Sequence, residues 1–236
     1  GSRQVAMISK TDGLEIRPTG PWVRRKHHYL RRYADIFTRG MKKKWAGPGL
    51  TFIDLFAGPG RCLVEQPLKE EINGSPLIAL TYELTKYIFV AKDKRCLTAL
   101  NKRCAKSPKA DRSTVRPGDC NKVISKIKPE GLSLAFVDPE SVSVHFETIK
   151  RLVEGRQVDL LMNVIMMDIR RNFRLYLKDG SPLDKFLGGN VFWRSVKTPR
   201  DAVLLFKKRI RELGYSTVEH KDVTVKNTKN APIYFL

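Results

Sequence analysis

Acid is what this chain has least of relative to its counterpart. Its 236 residues carry 24 Asp and Glu against 45 Lys and Arg, a formal net charge of +21. Such an imbalance repels itself in the folded state and attracts polyanions, nucleic acid first and an anionic membrane second. Cysteine is also scarce: Cys62, Cys96, Cys104 and Cys120 form no C-x-x-C pair and no small-scaffold framework. A disulfide-stapled domain is set aside, and the thiols are expected to be reduced packing residues. His27, His28, His145 and His220 have no ligand-like spacing, so no metal site is expected. No apolar run approaches the roughly 20 residues that span a bilayer, and no charged-then-apolar leader opens the chain. The expectation is a cytoplasmic protein without a membrane partner. Repeats and low-complexity tracts are lacking too.

Hydrophobic residues make up 42% of the chain, enough for one full core. Gly1-Ser2 reads as a cloning remnant, and residues 1–20 as a tail without periodicity. Residues 21–236 are expected to form a single domain with a helical extension over 21–45. That helix starts at Thr19-Gly20-Pro21, with proline in the first turn. Trp22, Tyr29, Leu30, Tyr33, Phe37 and Met41 are expected on one stripe. Arg24, Arg25, Arg31, Arg32 and Arg39 stand opposite, followed by Lys42-Lys43-Lys44, a candidate phosphate-contacting face. Lys26 falls inside the apolar stripe, where it must snorkel, find a partner or serve a site.

Beyond the helix, strands are expected at 51–55, 87–91, 114–116, 132–137 and 158–165, alternating with helices at 76–86, 93–105 and 145–154. A polar insertion over 61–73 is expected as a surface loop. A last helix, 199–213, precedes two closing strands, 216–225 and 231–236. The alternation predicts an α/β fold: a doubly wound, Rossmann-like, mostly parallel sheet with a C-terminal antiparallel strand, the class I methyltransferase arrangement.

The sharpest motif is Asp54-Leu55-Phe56-Ala57-Gly58-Pro59-Gly60-Arg61, an apolar strand ending in an acid and a glycine turn. Such a turn receives a nucleotide-like ligand beyond the strand's carboxyl end. A dinucleotide fingerprint needs a third glycine, and Leu63 stands there. The pattern suits an S-adenosyl-L-methionine (SAM) pocket better, with Asp54, Phe56, Gly58 and Gly60 at the methionine end. Asp119, with Cys120 beside it, ends strand three, where an acid accepts a hydrogen bond from an adenine amine. Strand two ends in Ala91-Lys92-Asp93 in place of the acid that holds the ribose hydroxyls, leaving Asp93 to reach in from further along. Asp138-Pro139 ends strand four, where acceptors could orient an exocyclic base amine toward a sulfonium methyl. An aromatic residue usually follows to stack on a flipped base; Glu140 and Ser141 follow here. Arg61, Arg170 and Arg171, with Lys26, complete the candidate nucleic-acid contacts.

These residues resemble the three-Cys-motif partner proteins, a family encoded beside a radical-SAM-like protein with three cysteines. The resemblance runs through Asp12-Gly13-Leu14, Trp22, Lys26-His27 and Tyr33, the 54–61 motif and Gly74-Ser75-Pro76. It continues through Gly118-Asp119-Cys120-Asn121, Phe136-Val137-Asp138-Pro139, Asp168-Ile169-Arg170-Arg171-Asn172 and Leu213-Gly214-Tyr215. It implies a class I methyltransferase-like fold and a partner protein. The chain departs from that family at Glu140-Ser141, where it tends to have an aromatic and Gly, and at Ala91, where it tends to have Glu. Two expectations follow: a SAM-dependent methyltransferase acting on DNA or RNA at a base amine, or a catalytically silent nucleic-acid-binding subunit of the same fold.

Overall fold

The structure is a computed structural model, and it describes residues 7–41, 47–215, 223–226 and 232–235. In chain order come β1 (Arg17–Thr19), α1 (Trp22–Met41), β2 (Leu50–Asp54), β3 (Arg61–Val64), β4 (Glu70–Asn73) and α2 (Ser75–Ala79). There follow β5 (Lys86–Ala91), α3 (Lys94–Ala105), β6 (Ser113–Pro117), α4 (Cys120–Val123), β7 (Leu132–Val137) and α5 (Phe146–Val153). The chain continues through β8 (Val158–Val164), α6 (Met166–Tyr176), α7 (Pro182–Leu187), α8 (Pro199–Arg211), β9 (Val223–Lys226) and β10 (Pro232–Phe235).

The main sheet has seven strands in the order β6-β5-β2-β7-β8-β10-β9. All neighbours from β6 to β8 are parallel, while β10 runs antiparallel to both β8 and β9. The central strands read as largely apolar runs because both faces are covered. Ile53, Ile88, Ala135 and Val137 pack on one side with Phe146, Ile149 and Leu152 of α5 and Phe206 of α8. Phe52, Tyr87, Phe89, Leu134 and Phe136 alternate to the other, against Leu30, Ala34 and Phe37 of α1, Ile78 of α2 and Leu100 of α3.

Several boundaries differ from expectation. The buried positions of α1 are Val23, His27, Leu30, Ala34 and Phe37, so the stripe is rotated and Tyr33 is exposed. The side chain of Met41, the run Lys42–Lys44 and parts of the closing strands lie outside the described residues. α2 stops at Ala79 because the Lys109 ammonium takes the carbonyls of Leu80 (2.8 Å) and Tyr82 (3.0 Å) while Tyr87 Oη accepts from the Leu84 amide (3.1 Å).

The largest correction concerns the lead-in and the 61–73 insertion. β3 and β4 form an antiparallel hairpin, and β1 joins it in parallel, making a separate three-stranded sheet. Residues 7–19 are therefore built onto the domain. Glu71 accepts from Ser9 Oγ (2.7 Å), the Lys10 amide (2.6 Å) and Thr11 Oγ1 (2.7 Å), which hold its carboxyl down at about 2. Asp12 grips Arg103 through two hydrogen bonds of 2.8 Å.

Candidate ligand crevice

Beyond the carboxyl ends of β2, β5 and β7 the chain leaves a crevice of two adjoining lobes, about 330 and 550 Å³. Its rim is the turn after β2. Gly58 (φ +60°) and Gly60 (φ +94°) adopt left-handed backbone that other residues enter only with strain. The turn is braced from every side: the Ala57 amide donates to Val90 O (2.9 Å), the Gly74 amide to Gly60 O (2.7 Å) and Arg103 Nη1 to Pro59 O (2.6 Å). Arg103 also donates to Glu15 O (2.6 Å), so one buried guanidinium ties the glycine turn to the N-terminal segment.

Phe56 and Gly58 line both lobes, and Gly60 lines the first. The second lobe has Leu55, Val90, Ala91 and Cys120 for an apolar wall and Asp93 and Asp119 for acids. Both acids double as helix caps. Asp93 Oδ1 accepts from the amides of Arg95 and Cys96 (2.9 and 3.0 Å), and Asp119 Oδ1 from that of Asn121 (2.9 Å). The second oxygen of Asp119 lies 3.5 Å from Lys92 Nζ.

Asp54 corrects the expectation that its carboxylate meets a ligand. It is fully buried beneath the turn and is not among the residues that line either lobe. Oδ1 accepts from the Phe56 amide (3.1 Å), and burial pushes the carboxyl up to about 7.

Asp138 faces both lobes, and Pro139 lines the first. Its oxygens receive Lys26 Nζ at 2.7 and 2.9 Å and Asn163 Nδ2 at 2.6 Å. Lys26 thus turns into the crevice instead of joining the basic face of α1. His27, next to it, lines the first lobe, and burial lowers its imidazole to about 4, so it is neutral near pH 7. The segment after Asp138 is pinned from α6: Asp168 Oδ2 accepts from the Val142 amide (2.8 Å) and Tyr176 Oη (2.9 Å).

One residue that local patterning gave no reason to single out meets Glu140 across the crevice. Arg17 of β1 lines both lobes, and its Nε lies 3.3 Å from Glu140 Oε1. A Cβ on Gly58 would stand 3.2–3.4 Å from Cζ, Nη1 and Nη2 of Arg17, so the guanidinium lies over the glycine turn.

The proposed phosphate contacts separate into groups. Arg25, Arg31 and Arg32 are exposed on α1; Arg24 is exposed and paired with Glu70. Arg170 and Arg171 are exposed on α6, beside Arg174. Arg61 instead turns inward, donating to Asn73 Oδ1 (3.1 Å) with Glu71 at 3.7 Å. Among the described residues no group of three or more His, Cys, Asp or Glu is placed to hold a metal, and no helix is long and apolar enough to cross a membrane.

Sheet order, the reversed strand and the crevice at the strand ends define the class I methyltransferase fold. Solved structures with that likeness include an O-methyltransferase from Bacillus cereus in complex with SAH (TM-score 0.52, 9% identity, covering 89% of this chain and 79% of that one). TYW2 of P. horikoshii, in complex with MeSAdo, gives a TM-score of 0.52 at 13% identity, covering 98% of this chain and 69% of that one. TomG, the O-methyltransferase of Streptomyces achromogenes involved in tomaymycin synthesis, in complex with SAM, gives 0.51 at 10%, covering 89% and 78%. At these identities the likeness is one of fold. No family model and no curated protein matches the chain.

Proposed function

We propose that the chain is a SAM-dependent methyltransferase acting on nucleic acid. The observation that carries this reading is the two-lobed crevice opening on the Gly58–Gly60 bend at the ends of parallel strands. The lining fits an adenosyl nucleoside: Leu55, Val90, Ala91 and Cys120 offer apolar surface, Asp119 an acceptor for an amine, and Gly58 and Gly60 a backbone free of Cβ atoms. The bound group would supply an activated methyl on a good leaving group, so the chain's task is positioning. Asp138 is the residue we assign to the acceptor. A carboxylate has about four lone-pair sites, and Lys26 and Asn163 fill three of them in hydrogen bonds. The remaining site suits one hydrogen of a base amine held at the first lobe.

The basic surface supports a polyanionic substrate. α1 carries Arg25, Arg31 and Arg32 outward while Lys26 of the same helix reaches the crevice, so one helix joins phosphate contacts to the reaction centre. A radical-SAM-like three-Cys protein is the proposed partner. A second reading, a silent nucleic-acid-binding subunit, is favoured by the Arg17–Glu140 pair spanning the crevice. Transfer of tritiated methyl from SAM to mixed DNA and RNA, with and without the partner, tests both. Label in nucleic acid supports the enzyme. Background counts together with tight, salt-dependent binding overturn it in favour of the silent subunit.

A further inference from the structure

We propose that Arg17 is a two-partner switch, holding Glu140 across the crevice in the ligand-free protein and exchanging it for the carboxylate of an amino-acid-bearing nucleoside. This rests on the crevice binding such a nucleoside and adds what sets its affinity. Glu140 is then a built-in competitor for the guanidinium.

Three of the other crevice cations are committed elsewhere, and Lys94, exposed at the start of α3, lines the second lobe only. Lys26 is held by both oxygens of Asp138, Arg61 turns to Asn73 and Glu71, and Lys92 leans toward Asp119 in the second lobe. Arg17 alone among the cations of the described residues lines both lobes, and its guanidinium lies over Gly58, where a ligand's tail would meet the turn. Its partner is loosely held: the Glu140 side chain is 74% exposed, and only one ion pair of 3.3 Å joins it to Arg17. An exposed pair of this kind is weak, whereas a carboxylate received on a half-buried guanidinium gains charge-assisted bonds. Exchange therefore runs toward the ligand. Asp138, the other acid facing both lobes, does not oppose it because Lys26 neutralises it.

The test compares two nucleosides that differ at this end: S-adenosylhomocysteine, which has the amino acid carboxylate, and 5′-methylthioadenosine, which lacks it. Calorimetric titrations are made on the wild type, Arg17→Met, Glu140→Gln and the double variant. Arg17→Met is expected to weaken S-adenosylhomocysteine about 10- to 100-fold and to leave methylthioadenosine within about twofold, which also reports an intact fold. Glu140→Gln should tighten S-adenosylhomocysteine about two- to fivefold, and that gain should vanish when Arg17 is Met. Equal weakening of both nucleosides by Arg17→Met, or no gain from Glu140→Gln, overturns the switch while the crevice assignment stands. Absence of binding by either nucleoside to the wild type overturns both.

Discussion

The Lys26 ammonium sits 2.7 and 2.9 Å from the two oxygens of Asp138, joining the N-terminal helix to the end of β7. Both side chains are mostly buried, so removing one partner leaves a poorly hydrated charge. Lys26→Met is expected to cost about 1–3 kcal/mol. Combining it with Asp138→Asn should restore a large part of that loss, as read by urea denaturation of the single and double variants.

Gly58 is where backbone freedom and a close approach coincide. Alanine there must hold φ +60° and crowd the Arg17 guanidinium at 3.2 Å. Gly58→Ala is expected to destabilise by about 1–2 kcal/mol and to reduce nucleoside affinity by more than that strain alone explains. Thermal melts and titrations on the same preparation separate the two effects.

Arg103 ties Asp12, Glu15 and Pro59 together from inside the protein. Arg103→Met removes all of these bonds and leaves Asp12 without its cationic partner. The N-terminal segment should then become the first site of limited proteolysis, with intact wild type resistant there. Equal protection in the two proteins would mean that β1 and the Glu71 contacts hold the segment by themselves.

The Asp54 carboxyl is raised from 3.8 to about 7, so between those values the folded protein binds more protons than the unfolded chain. Its stabilising contribution is complete below the lower value and fades as pH climbs through the upper one. His27 works in the opposite sense: it is lowered from 6.5 to about 4, and its contribution is lost as pH falls through that window. The expected signature is that Asp54→Asn gains in Tm relative to wild type from pH 5.5 to pH 8.5. A constant difference across that range would contradict the buried, protonated acid.

What could be read from the sequence was what repeats locally. Leu132–Val137 announces itself as a strand because all six positions are buried, and the glycine turn because it follows an acid-ended apolar run. The hairpin of β3 and β4 was hidden: its strands are short and half-exposed, and β1 pairs with it across more than forty residues of chain. Arg17 was invisible for the same reason, since only that pairing brings it over Gly58. Lys26 was half legible; its place in an apolar stripe demanded a partner, and the partner was Asp138. Tyr33 failed because the stripe drawn through Trp22, Tyr29, Leu30, Tyr33, Phe37 and Met41 is rotated relative to the true face marked by Val23, His27 and Ala34.

The exposed arginines of α1 make a salt-dependent prediction. Changing Arg25, Arg31 and Arg32 together to Gln should weaken nucleic acid binding and flatten the dependence of log K on log salt by about 2–3. Nucleoside binding in the crevice should be unchanged. Fluorescence anisotropy over a salt series reads the first and calorimetry the second.

The most direct measurement is a calorimetric titration of the wild-type protein with S-adenosylhomocysteine, beside a variant in which Ser141, which lines the second lobe and is only partly buried, is replaced by Trp to obstruct it. The crevice assignment predicts saturable one-to-one heat for the wild type and its loss in Ser141→Trp with the fold retained. No heat from the wild type at millimolar nucleoside, or equal heat from the blocked variant, would contradict it.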